Sequence, residues 1–211
     1  MQVAVVLYDF VEPIEVAIIG TLSMAKRLSA DLSYFTVSEA GGIVQLQNGL
    51  RVDTDFSFHD APSSDVVIVT GGPGWRAQST NPGMLAFLQA RSAHGACIAS
   101  VCTGALILAA AGLLSGKRAT TKVPVVAPET CPLDTLCQSF PDTEGVPALV
   151  VDEGNVITGG GVSLCIDLTL YLLARFLGQD IAHETARIME YSAASDANRA
   201  RLPVLQGLAA D

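Results

Sequence analysis

Apolar runs of about five residues recur along this chain, at residues 3–7, 32–37, 66–69 and 97–99, and three of them are followed by glycine-rich or helix-starting sequence. That rhythm belongs to a parallel sheet, whose strands are buried on both faces and joined through helices. Helical spacing and composition follow at residues 16–28, 82–93, 104–114, 163–177 and 181–191, enough to cover both faces. Two stretches carry hairpin chemistry instead: residues 44–52, turning at Asn48-Gly49, and residues 148–158, turning near Glu153-Gly154-Asn155. The expected architecture is one open α/β sandwich with a mostly parallel sheet and small hairpin additions, spanning residues 1–211 as a single domain. Residues 122–145 hold Pro124, Pro128, Pro132 and Pro141 and are expected to be irregular, with a short helix at 135–140.

Composition narrows the classes of function. Half of the 211 residues are apolar and 16% are charged, which excludes disorder, collagen-like repeats and coiled-coil rods. Twelve Lys and Arg against 21 Asp and Glu leave a net charge of −9, with no basic run, so nucleic acid and anionic membrane surfaces are not the expected partners. The longest apolar stretches, residues 105–114 and 168–177, fall short of the ~20 residues a spanning helix needs. The first residues lack a basic region and a cleavage site, and five cysteines without a Cys-x-x-Cys pair suit a reducing cytosol with free thiols. No metal site and no cofactor are expected, since the glycine clusters fit neither dinucleotide nor P-loop spacing.

The stretch Ala96-Cys97-Ile98-Ala99-Ser100-Val101-Cys102-Thr103-Gly104-Ala105 carries the chemistry. A nucleophile at a strand-to-helix turn needs small residues two before and two after it, because the backbone turns sharply there. Ser100 and Gly104 meet that need around Cys102. The following helix start is expected to favour thiolate and lower the Cys102 pKa, whereas Cys97, Cys131, Cys137 and Cys165 lack the elbow and read as buried structural thiols. Thr70-Gly71-Gly72-Pro73-Gly74 ends another strand on the same sheet edge, so the Gly72 and Thr103 N–H groups are candidates for an oxyanion hole, with Gly71 beside them. Each of the two clusters, this one and Thr158-Gly159-Gly160-Gly161, also reads as a plain tight turn.

His59, His94 and His183 all lie away from strand carboxyl ends and are expected on the surface. The acid partner is sought among Asp9, Glu12 and Glu15 after the first strand. Glu15 is set among apolar residues and is the candidate for a buried carboxyl with a raised pKa. Asp167, near the start of a helix, is expected to be structural, bonding local backbone N–H groups.

Through Gly71-Gly72-Pro73-Gly74, Ser100-Val101-Cys102-Thr103-Gly104, Ala110-Ala111-Gly112-Leu113-Leu114, Lys117-Arg118-Ala119-Thr120-Thr121, Thr158-Gly159-Gly160-Gly161-Val162 and Ile166-Asp167, the chain resembles the ThiJ/PfpI superfamily of class I glutamine amidotransferase-like proteins, and within it the isonitrile hydratase branch. The resemblance implies a flavodoxin-like sandwich, a homodimer, a reactive cysteine at Cys102 and an acidic partner at Glu15. Two positions depart from it: isonitrile hydratases carry aspartate where this chain has Glu15, and Lys122 stands where many members place a histidine, which disfavours peptidase activity. Some relatives are the first halves of transcription regulators. Only about twenty residues follow the last expected helix, so no helix-turn-helix module is expected in them.

The resemblance implies a cofactor-independent hydratase or hydrolase acting on a small molecule, with Cys102 as nucleophile, Glu15 as acid and Thr103 orienting substrate or water. The alternatives are a non-enzymatic redox or small-molecule sensor using the same Cys102, and a deglycase- or glyoxalase-like activity.

Overall fold

The computed structural model describes residues 1–207. In chain order the elements are β1 (Gln2–Val6), a 3₁₀ turn (Pro13–Val16), α1 (Ala17–Ala25), β2 (Ser33–Ser38), β3 (Gly42–Gln45), β4 (Arg51–Thr54), β5 (Phe56–Ser57), β6 (Val66–Val69), α2 (Trp75–Gln78), α3 (Pro82–Ala93), β7 (Cys97–Val101) and α4 (Gly104–Ala110). They continue with β8 (Arg118–Ala119), α5 (Pro132–Ser139), β9 (Glu144–Gly145), β10 (Val150–Asp152), β11 (Val156–Gly159), a 3₁₀ turn (Val162–Leu164), α6 (Cys165–Leu177), α7 (Gln179–Ile188), α8 (Ser192–Arg201) and β12 (Val204–Gln206).

Eight strands form one sheet in the order β12-β10-β11-β7-β6-β1-β2-β5. Every neighbouring pair is parallel except β10 with β11. β6, all valine and isoleucine, and β7 are buried at every position, as strands with helices on both faces require. One helical layer joins α1, α6 and α7, and the other joins α4 with α2, α3 and α5. α4 is apolar almost all round, and its first six residues are buried. α3 starts where local chemistry asks: Pro82 opens it, and the Asn81 side chain accepts from the Gly83 and Met84 N–H groups.

The hairpin at residues 44–52 forms its own two-stranded sheet, β3 with β4. The second expected hairpin is not a separate addition. Its β11 pairs with β7 and its β10 with β12, so it extends the main sheet. The short helix expected at 135–140 begins earlier, at Pro132, and β8 and β9 flank the irregular stretch.

The expectation that the last helix ends near residue 191 is corrected by α8 and β12. α8 reads SAASDANRAR and buries only Ser195, so it has no apolar stripe to announce it. It is held by polar contacts instead: Asn198 Nδ2 and Tyr191 Oη both donate to Asp167 Oδ2, at 2.9 and 2.8 Å. Asp167 thus grips side chains of a later helix rather than the local backbone N–H groups the sequence suggested, and burial raises its pKa. Among the described residues no helix is long and apolar enough to cross a membrane.

Candidate active site

The carboxyl ends of β1, β6, β7 and β11 converge on one crevice, where ligands of open parallel sheets bind. Cys102 follows β7 and turns the chain toward α4 with φ +51°, a left-handed conformation costing of order 1–3 kcal/mol that the surroundings must hold. They hold it from both sides: the Cys102 N–H donates to Gly160 O at 3.1 Å, and Thr121 Oγ1 donates to Cys102 O. Gly71 packs so closely on the elbow that a Cβ there would lie 2.7 Å from the Thr103 nitrogen and 2.8 Å from Cys102 Cβ. A Cβ on Gly104 would meet Val69 O at 2.5 Å. These two glycines are therefore steric requirements of the elbow.

Glu15 lies in the 3₁₀ turn ahead of α1 and is fully buried. Its Oε2 accepts from the Gly71 N–H at 2.5 Å, while Oε1 is buried without a hydrogen-bond partner. Burial pushes this carboxyl up to about 8, against the pull of the Gly71 N–H. The first-turn glutamate of an exposed helix would keep an ordinary value; the apolar surroundings of α1 and the elbow above it remove the water that value depends on.

Cys102 is 3% exposed. The expected lowering of its thiol is overturned. Burial first, and the negative charge of Glu15 second, push Cys102 up, against backbone N–H groups of Val162 and Thr103 that favour thiolate. Two acids side by side in a dry site cannot both ionise cheaply, and with both raised each keeps its proton through neutral pH.

One of the two expected oxyanion donors is taken. The Gly72 N–H donates to Thr103 Oγ1 at 2.8 Å, and Thr103 Oγ1 donates back to Gly72 O at 3.2 Å, so neither group is free for a substrate. The Thr103 N–H, the other expected donor, acts on the sulfur together with the Val162 N–H. Val162 has φ +55°, rare for a β-branched residue, and nothing in its sequence signals it beyond the three glycines before it.

A cleft of about 310 Å³ opens over Cys102. Gly72, Thr103 and Val162 form its floor with the cysteine, and Glu12, Gln47, Arg76 and the Lys122–Glu129 pair line its walls. Lys122 Nζ contacts both carboxylate oxygens of Glu129, at 2.5 and 2.7 Å. Glu15 is not among the residues that line the cleft; its carboxyl lies beside the Cys102 thiol. His59, His94 and His183 are exposed, and none borders the cleft. Cys97 and Cys165 are buried with raised thiol pKa values, whereas Cys131 is half-buried and Cys137 exposed, contrary to the buried role expected for them.

Comparison with known proteins gives the family and the fold. The chain is 36% identical to an isonitrile hydratase of Pseudomonas putida over 72% of its own length and 62% of that protein's. It is 29% identical to the HTH-type transcriptional regulator CdhR of Pseudomonas aeruginosa, over 79% of this chain and 48% of the regulator. The matches thus span less than two thirds of these relatives' lengths. Among solved structures, a ThiJ/PfpI family protein from Pseudomonas syringae superposes with a TM-score of 0.78 at 28% identity, covering 90% of this chain and 75% of that one. A cysteine-to-alanine mutant of a DJ-1 superfamily protein from Salmonella typhimurium gives 0.74 at 29%, covering 90% and 98%. The DJ-1/PfpI family model matches residues 1–175, and the chain belongs to the DJ-1/PfpI family.

Proposed function

We propose that this protein is a cysteine-dependent hydratase that adds water to a small electrophilic carbon, with an isonitrile as the model substrate. The observation that carries the reading is the pairing of a strained Cys102 at the floor of a cleft with a buried, proton-holding Glu15 beside it. The pair holds two protons at neutral pH, and loss of the thiol proton gives the reactive arrangement, thiolate on Cys102 beside neutral carboxyl on Glu15. The sulfur adds to the terminal carbon of R–N≡C, the new C–S bond takes the sulfur lone pair, and the Glu15 proton passes to that carbon to give R–N=CH–S–Cys102. Water adds across the C=N bond, its hydroxyl to carbon and its proton to nitrogen. The C–S bond then breaks with its electrons returning to sulfur, the hydroxyl proton returns to Glu15, and R–NH–CHO leaves.

In this reading the Thr103 and Val162 N–H groups hold charge on the sulfur, and Thr103 Oγ1 keeps Gly72 in place. Lys122, tied to Glu129, is not a base. Formamide formation from a panel of alkyl and aryl isonitriles, followed by mass spectrometry for wild type and Cys102→Ser, tests it. Turnover in the wild type that disappears in Cys102→Ser supports it. Absence of formamide from every isonitrile, with Cys102 oxidised to a sulfinate by dilute peroxide, would favour the sensor reading.

A further inference from the structure

A second cavity of about 370 Å³ lies behind the wall formed by Lys122 and Val162, the two residues it shares with the cleft over Cys102. It is assembled from four separated stretches: residues 121–124, 147–148, 160–164 and 201–202. Its size is within the range of small-molecule sites, ~300–1,000 Å³. Val123, Pro147, Leu164 and Leu202 give it apolar walls.

Its charge is the informative feature. The chain carries a net −9, yet no carboxylate lines this cavity, and both charged residues that do, Lys122 and Arg201, are cations. Lys122 is neutralised by Glu129. Arg201 donates from Nη2 to Asn198 Oδ1 at 3.3 Å and forms no salt bridge among the described residues. A basic residue in the last turn of α8 suits the helix dipole, but the dipole does not call for an apolar chamber underneath it. A guanidinium at the rim of an apolar pocket is the arrangement that recognises a carboxylate on an apolar body.

We propose that this cavity binds a small monoanion with a compact apolar body, such as a branched-chain or aromatic carboxylate, with Arg201 holding the carboxylate and the apolar walls holding the body. The site is separate from the Cys102 chemistry and does not rest on the hydratase reading. Its shared wall places any occupant against Lys122 and Val162.

Isothermal titration with 4-fluorobenzoate tests the proposal, with 4-fluorobenzamide as the neutral isostere, on wild type, Arg201→Gln, Leu202→Trp and Arg76→Gln. Circular dichroism checks that each variant is folded. Arg76 borders the neighbouring cleft, so its variant reports binding in the wrong chamber. The expected result is saturable binding of the benzoate, weakened about tenfold or more by Arg201→Gln, the size of a lost charge-assisted hydrogen bond. Leu202→Trp, which fills the chamber without changing charge, should weaken it likewise, and Arg76→Gln should leave it unchanged. No binding at several millimolar benzoate, equal affinity for the amide, indifference to Arg201→Gln, or loss in Arg76→Gln would each overturn the proposal. A self-associated form that covers the cavity would appear as the first of these.

Discussion

Replacing Glu15 with Gln isolates the energetics of the buried pair. The carboxyl sits at about 8 in the folded chain against an ordinary value near 4.5, and it is fully buried. The folded state therefore binds this proton more tightly than the unfolded state. Stability from it is complete below the unfolded pKa and is lost as pH rises through the folded one. Between those two values the slope is about 1.4 kcal/mol per pH unit, so Glu15 alone removes roughly 2.5 kcal/mol of stability between pH 5 and pH 7. Glutamine has nearly the same shape, its oxygen can accept from the Gly71 N–H, and it does not titrate. Urea unfolding of wild type and Glu15→Gln at half-unit steps from pH 5 to pH 9 should show wild type losing about 2.5 kcal/mol more than the variant between pH 5 and 7, or roughly 5–10 °C in melting temperature for a chain of this size. Other titrating groups are common to both proteins and cancel in the difference. Parallel stability curves would mean that Glu15 is solvated and ionised in solution, and its role as proton donor would go with it. On the activity side, the variant cannot carry the proton, and turnover should fall by roughly 10² to 10⁴.

The remaining expectations concern thiols, Asp167 and Lys122. Iodoacetamide at pH 7 should label Cys137 first and Cys131 next, by exposure, with Cys102 following and accelerating as pH rises, because burial and Glu15 hold its thiol up; peptide mapping in which Cys97 or Cys165 precedes Cys102 would refute the cleft assignment. Asp167→Ala leaves the Tyr191 hydroxyl and the Asn198 amide without their acceptor and should cost about 2 kcal/mol of stability, read as a drop of roughly 4–8 °C in melting temperature, with rate per folded molecule little changed. Lys122→His should not raise hydration of isonitriles or create peptidase activity, since Lys122 is engaged by Glu129 and the acid beside the sulfur is Glu15; a large gain in either rate would show that a histidine base is what this site lacks.

What the sequence determined by itself is what depends on neighbours along the chain. The buried runs at β1, β6 and β7 and the Asn81-Pro82 helix start follow from the residues in place. So does the elbow, since Ser100 and Gly104 are the small residues that a left-handed Cys102 needs; that Gly71 must be glycine is decided by tertiary packing, which brings its backbone against Cys102 and Thr103. The last helix escaped because α8 is stabilised by Asn198 and Tyr191 reaching Asp167, contacts between residues 24 and 31 positions apart that leave no periodic trace. The direction of the Cys102 pKa escaped for a related reason. A helix start favours thiolate in any sequence, but burial and a second acid 87 positions away in the chain outweigh it, and only packing brings them together. Gly72 looked like a free donor because glycine exposes its N–H; in the folded chain Thr103 Oγ1 occupies it. The Arg201 cavity lies furthest from the sequence, since its four segments meet only when α8 and β12 close the sheet edge, and long-range packing decides where water is excluded.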